Sequence, residues 1–305
     1  MPHRTEVSIE VHKGLRRGKP SLTRLADSRR SENLLRSTGR IRGIVALASL
    51  FLGCATSPTG RTQLLLMNPA QMSEMGQAAF VEIQSETPKS TDTQKAAYVR
   101  CVANSIVAIL TPGELEGLAV NDWEVELFAD DSANAFALPG GRIGVNTGLL
   151  VVATNQDQLA TVLGHEVGHV LAQHGNARMS NTQLAQSGMT AASIFLGGDA
   201  SEQQQVMGLL GVGVQYGVLM PFGRADESEA DEIGLVLMAR AGFDPRESVP
   251  LWQNMGRAAG GAAPPEFMST HPSHTTRIAD LQAEMPQVMP LYEKARASGK
   301  KPNCK

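Results

Sequence analysis

Apolar residues return at three- and four-residue steps from Met72 to about Leu110, at positions such as Ala96, Val99, Val102, Ile106 and Ile109. That period lines one face of a helix and predicts a helical stretch, which Pro112-Gly113 stops. Beyond it the period changes to two. Trp123 to Phe128 alternates like a half-buried strand, Asn134 to Leu138 is a second extended piece, Pro139-Gly-Gly141 turns the chain, and Arg142 to Asn146 reads as a hairpin partner. Helical spacing comes back from Asp157 to about Gly175 and again from Glu227 to Arg240, with Gly242 as the stop. Between these two helices, Gly188 to Phe222 is apolar and rich in glycine. Its glycines, Gln215 and its short apolar run argue against a membrane span, so closely packed helices or a cover over a cleft are expected. No period of roughly 20–50 residues recurs, which excludes an appended repeat module.

The amino-terminal region follows none of these periods. Its first forty residues are rich in Ser and Arg and cannot pack a core. Arg40-Ile-Arg42 then precedes an apolar run, Gly43 to Leu52, and Gly53-Cys54. A positive flank, a short apolar run and a small residue before the cut form the layout of a secretory signal peptide, too short for a span of about 20 residues. Phe51-Leu52-Gly53-Cys54 resembles the lipobox of bacterial lipoproteins, with Phe51 where Leu is usual, and so implies lipidation of Cys54. The alternative is a short buried helix whose cysteine is simply packed. Ala55 to Gly60 has linker chemistry. The expected organisation is an export segment at 1–53, a tether at 54–70 and a single domain at 71–305.

Charge separates the same two objects. The whole chain of 305 residues carries a formal charge of −3, with 42% apolar and 19% charged residues. Residues 1–53 hold 11 Lys/Arg against 4 Asp/Glu, which leaves 16 against 26 for the remainder. An acidic mature domain with an ample apolar fraction is globular and is no general nucleic-acid binder. Three cysteines exclude a disulfide-dense scaffold. If Cys54 is lipidated, Cys101 and Cys304 are left as an even pair, which an oxidising compartment can join. Otherwise Cys101 is a small buried hydrophobe and Cys304 a loose thiol.

The chemistry lies in His165-Glu166-Val-Gly-His169. Two histidines four residues apart on a helix share a face and can converge on one metal, while Glu166 projects beside them toward a water rather than the ion. The flanking Val162, Leu163, Val167, Val170 and Leu171 predict burial, and two buried histidines without a partner would be costly. Catalytic zinc needs a third protein ligand. Arg224-Ala-Asp-Glu227-Ser-Glu229-Ala-Asp231-Glu232 offers five acidic residues on one helix. Glu227 and Asp231 share a face, so one can ligate while the other accepts a hydrogen bond from a ligand histidine; spacing does not say which. His271 precedes Pro272 and so is extended or in a turn, while His174 and His274 read as surface residues.

His165-Glu-x-x-His169, Arg224-x-x-Glu227-x-x-Ala230-Asp231 and Asn134-Ala-Phe136 together resemble the zinc metallopeptidase family of HtpX heat-shock peptidases and CAAX prenyl endopeptidases. The likeness runs from about Gly60 to Leu281 and is nearest to the soluble periplasmic lipoprotein branch. It implies an α+β, mainly helical, zincin-like domain with a small sheet beside the His-Glu-x-x-His helix. It assigns the third ligand to Glu227 and the supporting carboxylate to Asp231. Gly223 stands where the family usually has Ser. Ser269-Thr-His271-Pro-Ser resembles the family segment whose histidine faces the cleft, which makes His271 either a transition-state donor or a cap on resting zinc. Asn134, Ala135 and Phe136 match the edge segment that lies along the peptide.

The implied enzyme is a zinc metalloendopeptidase with one Zn2+ per chain and Glu166 as general base. Its expected substrates are unfolded or misfolded envelope proteins, and its lipid anchor places it at the periplasmic face of the bacterial outer membrane, since Ala55 is not the retention Asp. The competing reading is a periplasmic chaperone or assembly factor whose protease site is latent beneath His271.

Overall fold

The long helical stretch predicted from Met72 is two helices, not one. In the computed structural model, which describes residues 54–195, 222–259, 266–271 and 276–305, α1 spans Pro69–Glu86 and α2 spans Thr93–Val107. Asn68 caps α1 with a reciprocal Gln71 contact, Asp92 caps α2 by accepting the Lys95 N–H, and the extended residues between them break the period. The export segment and most of the Gly-rich stretch lie outside the described residues. The stretch expected as a tether starts as a short antiparallel hairpin, β1 (Cys54–Thr56) with β2 (Thr62–Leu64). It is tied to the domain by the Gln63 amide donating to the Ala172 carbonyl.

A short helix α3 (Pro112–Leu115) leads into a three-stranded sheet of β3 (Glu124–Phe128), β4 (Ala135–Leu138) and β5 (Arg142–Asn146). β4 and β5 form the expected antiparallel hairpin, with Ala135 opposite Val145, while β3 joins the far side of β5 in parallel. The order β3-β5-β4 leaves β4 at an edge. After a single turn, α4 (Leu149–Val152), the chain enters α5 (Gln156–Leu171), capped by Asn155. Every residue of α5 from Gln158 to Leu171 is buried. The core wraps it, with Val99, Val102 and Ile106 of α2, Ile143 and Val145 of β5, and Leu235 and Met238 from α7 (Arg224–Ala241) all packed inside. Each such side chain contributes roughly 1.5–3 kcal/mol by leaving water.

α6 (His174–Phe195) precedes α7; α8 (Ser248–Ala259), α9 (Glu266–Thr270) and α10 (Arg277–Ala297) follow it. The helix expected to run from 157 to 175 stops short at Leu171, because Gln173 adopts φ 56°, which turns the chain into α6. The architecture is α+β and mainly helical, with a small sheet against the His-Glu-x-x-His helix. Cys101 of α2 and Cys304 are joined in a disulfide, Cα to Cα 5.6 Å, which pins the carboxyl terminus across 203 residues of chain. Cys54 is exposed. No helix among the described residues is long and apolar enough to cross a membrane.

Candidate metal centre

Two helices meet at the site with almost no side chain between them. A Cβ at Gly234 of α7 would lie 2.7 Å from the backbone N of His165, and one at Gly168 would lie 2.9 Å from the Ala230 carbonyl. This close approach delivers Glu227, in the first turn of α7, to the ring nitrogens of His165 and His169. The positive end of the α7 dipole favours a carboxylate there. His271, at the end of α9, completes the group.

The ligand-type atoms converge. His165 Nε2 lies 3.1 Å from His169 Nε2 and 3.5 Å from Glu227 Oε2. His169 Nε2 is 3.4 Å from Glu227 Oε1, and His271 Nδ1 is 3.0 Å from Glu227 Oε1 and 3.2 Å from His165 Nε2. Ligands about 2.0–2.1 Å from a tetrahedral centre stand about 3.3–3.4 Å apart, so the spacing suits one zinc-sized ion. Hydrogen-bond chemistry points the same way. The Asp231 carboxylate can only accept, and it takes the His165 Nδ1–H at 2.9 Å, so a neutral His165 presents an unprotonated Nε2 to the other ring nitrogens. Bare nitrogens turned toward a carboxylate call for a cation. His165, His169, Glu227 and His271 are all buried, and one ligand atom from each falls within 4.8 Å of the others.

Electrostatics are set by burial and by one arginine. Burial opposes charge on Glu227, yet His165 outweighs it, with further hydrogen bonds from His165, His169 and His271, and holds the carboxyl well below the usual range. Burial pushes His169 well below the ordinary histidine value and keeps it neutral, as a ligand must be. Without a metal His165 is also opposed by burial, but Glu227 and Asp231 hold it at about 9, so it carries there the positive charge that a bound ion would replace. Arg277 is 1% exposed; it donates to Glu227 Oε2 at 3.0 Å and Asp231 Oδ1 at 2.6 Å, and its guanidinium stacks 3.5 Å from the Trp252 ring centre. It compensates the buried Glu227 and the largely buried Asp231, two carboxylates that repulsion would otherwise drive apart.

Glu166 stands beside the ligands rather than among them. Its Oε2 accepts the Ala137 N–H of edge strand β4 at 3.2 Å, while Oε1 lies 3.2 Å from His271 Nε2 without a hydrogen bond. Burial raises its pKa against the pull of His271 and His165. A cleft opens along β4, lined by Asn134, Ala135, Phe136, Glu166, His169 and His271 among others. The predicted site residues thus come together: His165, His169, Glu227 and His271 form one group that could hold a metal ion, Asp231 lies behind His165, and Glu166 lies next to the edge segment. Cys54 lies apart from them, in the hairpin.

One reading from sequence needs correction, and one residue was missed. His174 is not a surface residue. It is 1% exposed, and its Nδ1 lies 2.8 Å from His169 Nδ1, because the turn at Gln173 swings it back under the preceding helix. Arg277 carried no signal in the sequence beyond its place six residues after His271. His274 lies outside the described residues.

The model of Peptidase family M48 matches residues 93–285. The chain belongs to peptidase family M48. It is therefore a member of a metallopeptidase family, and the matched span holds His165, His169, Glu227 and His271. Relatives agree. The domain is 34% identical over 221 residues to the mitochondrial metalloendopeptidase OMA1 of Schizosaccharomyces pombe, covering 70% of this chain and 60% of that protein. The human mitochondrial metalloendopeptidase OMA1 is 29% identical over 262 residues, 82% of this chain and 49% of that one. The β-barrel assembly-enhancing protease of Escherichia coli K12 is 29% identical over 232 residues, 72% and 45% respectively. The chain thus spans about half the length of these relatives.

Proposed function

We propose that this chain is a zinc-dependent endopeptidase that cleaves misfolded or damaged proteins of the bacterial envelope, held at the membrane through a lipid on Cys54. The observation that carries the reading is Glu166 Oε1, buried and without a hydrogen bond, beside a ring of four metal-ligand atoms and open to the cleft. His165, His169 and Glu227 hold the ion, and Asp231 orients His165. When bound, zinc supplies Lewis acidity at the scissile carbonyl and lowers the pKa of water to about 7. Glu166 accepts the proton of the attacking water and returns it to the leaving amine, the raised pKa being suited to that return. An extended peptide lies along β4, held by main-chain hydrogen bonds, which suits a protease with little sequence preference. The exposed Cys54 supports the anchor, and the name of the Escherichia coli relative supports an envelope setting.

A second reading is favoured by one observation: His271 Nδ1 sits in the ligand ring, not outside it. There it caps the site, and the chain is an assembly factor or latent protease until that histidine is displaced. Incubating the zinc-loaded mature domain with unfolded casein tests both. Glu166→Gln is expected to keep zinc and lose cleavage; proteolysis at the wild-type rate by this variant sinks the assignment. A latent site predicts that wild type is nearly inactive and that His271→Ala cleaves faster, whereas slower cleavage by His271→Ala marks it as a catalytic donor.

A further inference from the structure

His174 is buried against a ligand, yet neither the metal nor the cleft explains it. Its Nε2 lies 3.1 Å from Glu229 Oε2, and Glu229 is itself 3% exposed. Glu229 in turn receives the Thr59 hydroxyl at 2.5 Å and Arg61 Nη1 at 2.7 Å, both from the loop between β1 and β2. Arg61 Nη2 also donates to Asp226 at 2.8 Å, next to Glu227 in the chain. A connected line therefore runs from the amino-terminal hairpin through Glu229 and His174 to His169.

With both histidines neutral, hydrogen-bond chemistry places each proton on the line. A carboxylate held by Arg61 accepts only, so His174 Nε2 must donate. A neutral His174 then has Nδ1 as an acceptor, and His169 Nδ1 must donate to it across 2.8 Å. His169 Nε2 is left bare, pointing at Glu227 and His165 as a ligand requires. Asp231 does the same for His165 directly; for His169 the carboxylate acts through a second imidazole. Charge passed along such a line raises the basicity of the ligand nitrogen.

We propose that His174 and Glu229 are positioning residues for the metal centre, and that the amino-terminal hairpin locks them through Thr59 and Arg61. The proposal rests on His169 being a metal ligand. It makes the hairpin part of the site: the chain that leads from Cys54 to the domain is also what holds one ligand in register.

The test is zinc affinity of the full chain, stripped of metal and titrated against a chromophoric chelator, with the visible spectrum of the cobalt-substituted protein as a second readout. Glu229→Gln is isosteric and keeps a hydrogen-bond acceptor for His174, and Arg61→Met acts at a half-exposed position, so neither removes packing. Loss of one of these outer supports is expected to weaken zinc binding about 10- to 100-fold for His174→Leu and Glu229→Gln, and several-fold for Arg61→Met. The cobalt bands should shift in all three, and Glu229→Gln should add little once His174→Leu is present. Wild-type affinity and an unshifted cobalt spectrum in Glu229→Gln and Arg61→Met overturn the relay and leave the metal site standing, even if His174→Leu fails to fold. If instead wild type binds no zinc, or His169→Ala binds it as tightly as wild type, the underlying assignment of His169 fails.

Discussion

Adding one methyl group at Gly234 tests whether the contact between α5 and α7 sets the site. The new Cβ of Gly234→Ala would lie 2.7 Å from His165 N, 2.9 Å from Gly164 C and 3.0 Å from His165 Cα, all backbone atoms that no rotamer change can move. Ordinary contacts begin near 3.4 Å, so the helices must separate locally by about 0.5–0.7 Å, an overpacking that costs about 1–3 kcal/mol. Alanine in place of glycine within a helix offsets roughly 0.5–1 kcal/mol of this. The expected net loss is about 0.5–2 kcal/mol. Glu227 lies seven residues before Gly234, two turns along the same face, so it recedes from His165 and His169 by a similar distance. Metal sites tolerate ligand displacements of about 0.2 Å, so zinc affinity should fall at least tenfold. The assay pairs urea unfolding of the metal-free chain with chelator competition for zinc. Gly256→Ala is the control. Nothing lies within 4 Å of a Cβ there, and the change should stabilise α8 by about 0.5–1 kcal/mol without touching zinc affinity. A Gly234→Ala protein as stable as wild type and with unchanged zinc affinity would refute the argument that this contact positions Glu227.

Three further outcomes follow from the geometry. Arg277→Met leaves Glu227 and Asp231 buried without their cation, and urea unfolding of the metal-free chain should show a loss of about 3–5 kcal/mol; Arg277→Lys should restore only part of it, since a lysine cannot bridge both carboxylates with a fixed fork. Reducing the Cys101–Cys304 disulfide frees a closed loop spanning 203 residues, and by chain entropy the unfolding free energy should drop by up to about 5 kcal/mol, read as a lower urea midpoint with reductant and no change in Cys101→Ser/Cys304→Ser. Arg240 bonds to Glu114 and holds its pKa at about 2, below the ordinary carboxylate value of 4.5. The pair therefore stabilises above pH 4.5 and loses its contribution as pH falls toward 2. With Glu114 32% exposed, Glu114→Gln should cost only about 0.5–1 kcal/mol at pH 7, and the gap from wild type should close near pH 2 in a pH series of unfolding curves.

What was legible in the chain was local. Period three to four and period two located α5, α7 and the β4–β5 hairpin, and the four-residue spacing of His165 and His169 put both on one face. The break between α1 and α2 was missed because Pro88 and Asp92 interrupt an otherwise continuous apolar period, and a cap at Asp92 wins over that period. Glu227 and Asp231 were indistinguishable by spacing, since a shared face is all that i and i+4 can specify. Position along the helix separates them: Glu227 lies in the first turn, where α7 meets both histidines, and Asp231 reaches only the far nitrogen of His165.

The partners that were missed are all distant in sequence. Arg277 lies 50 residues from Glu227, and Arg61 lies 168 from Glu229. His174 is only five residues from His169, but five is not a helical contact spacing, and the turn at Gln173 that makes the contact leaves no trace in an apolar period. A charge argument reaches part of this without coordinates. The carboxylates of α7 that share its apolar face cannot stay in water, and buried carboxylates need cations. Arg277 is the one Lys or Arg buried among the described residues. It bridges Glu227 and Asp231, while Glu229, the third inward carboxylate, draws on Arg61 at the rim and on His174 inside. The inward carboxylates of α7 therefore make three separate demands for positive charge, met by Arg277 and the ring that could hold a metal at Glu227, by Arg277 and His165 at Asp231, and by Arg61 and His174 at Glu229.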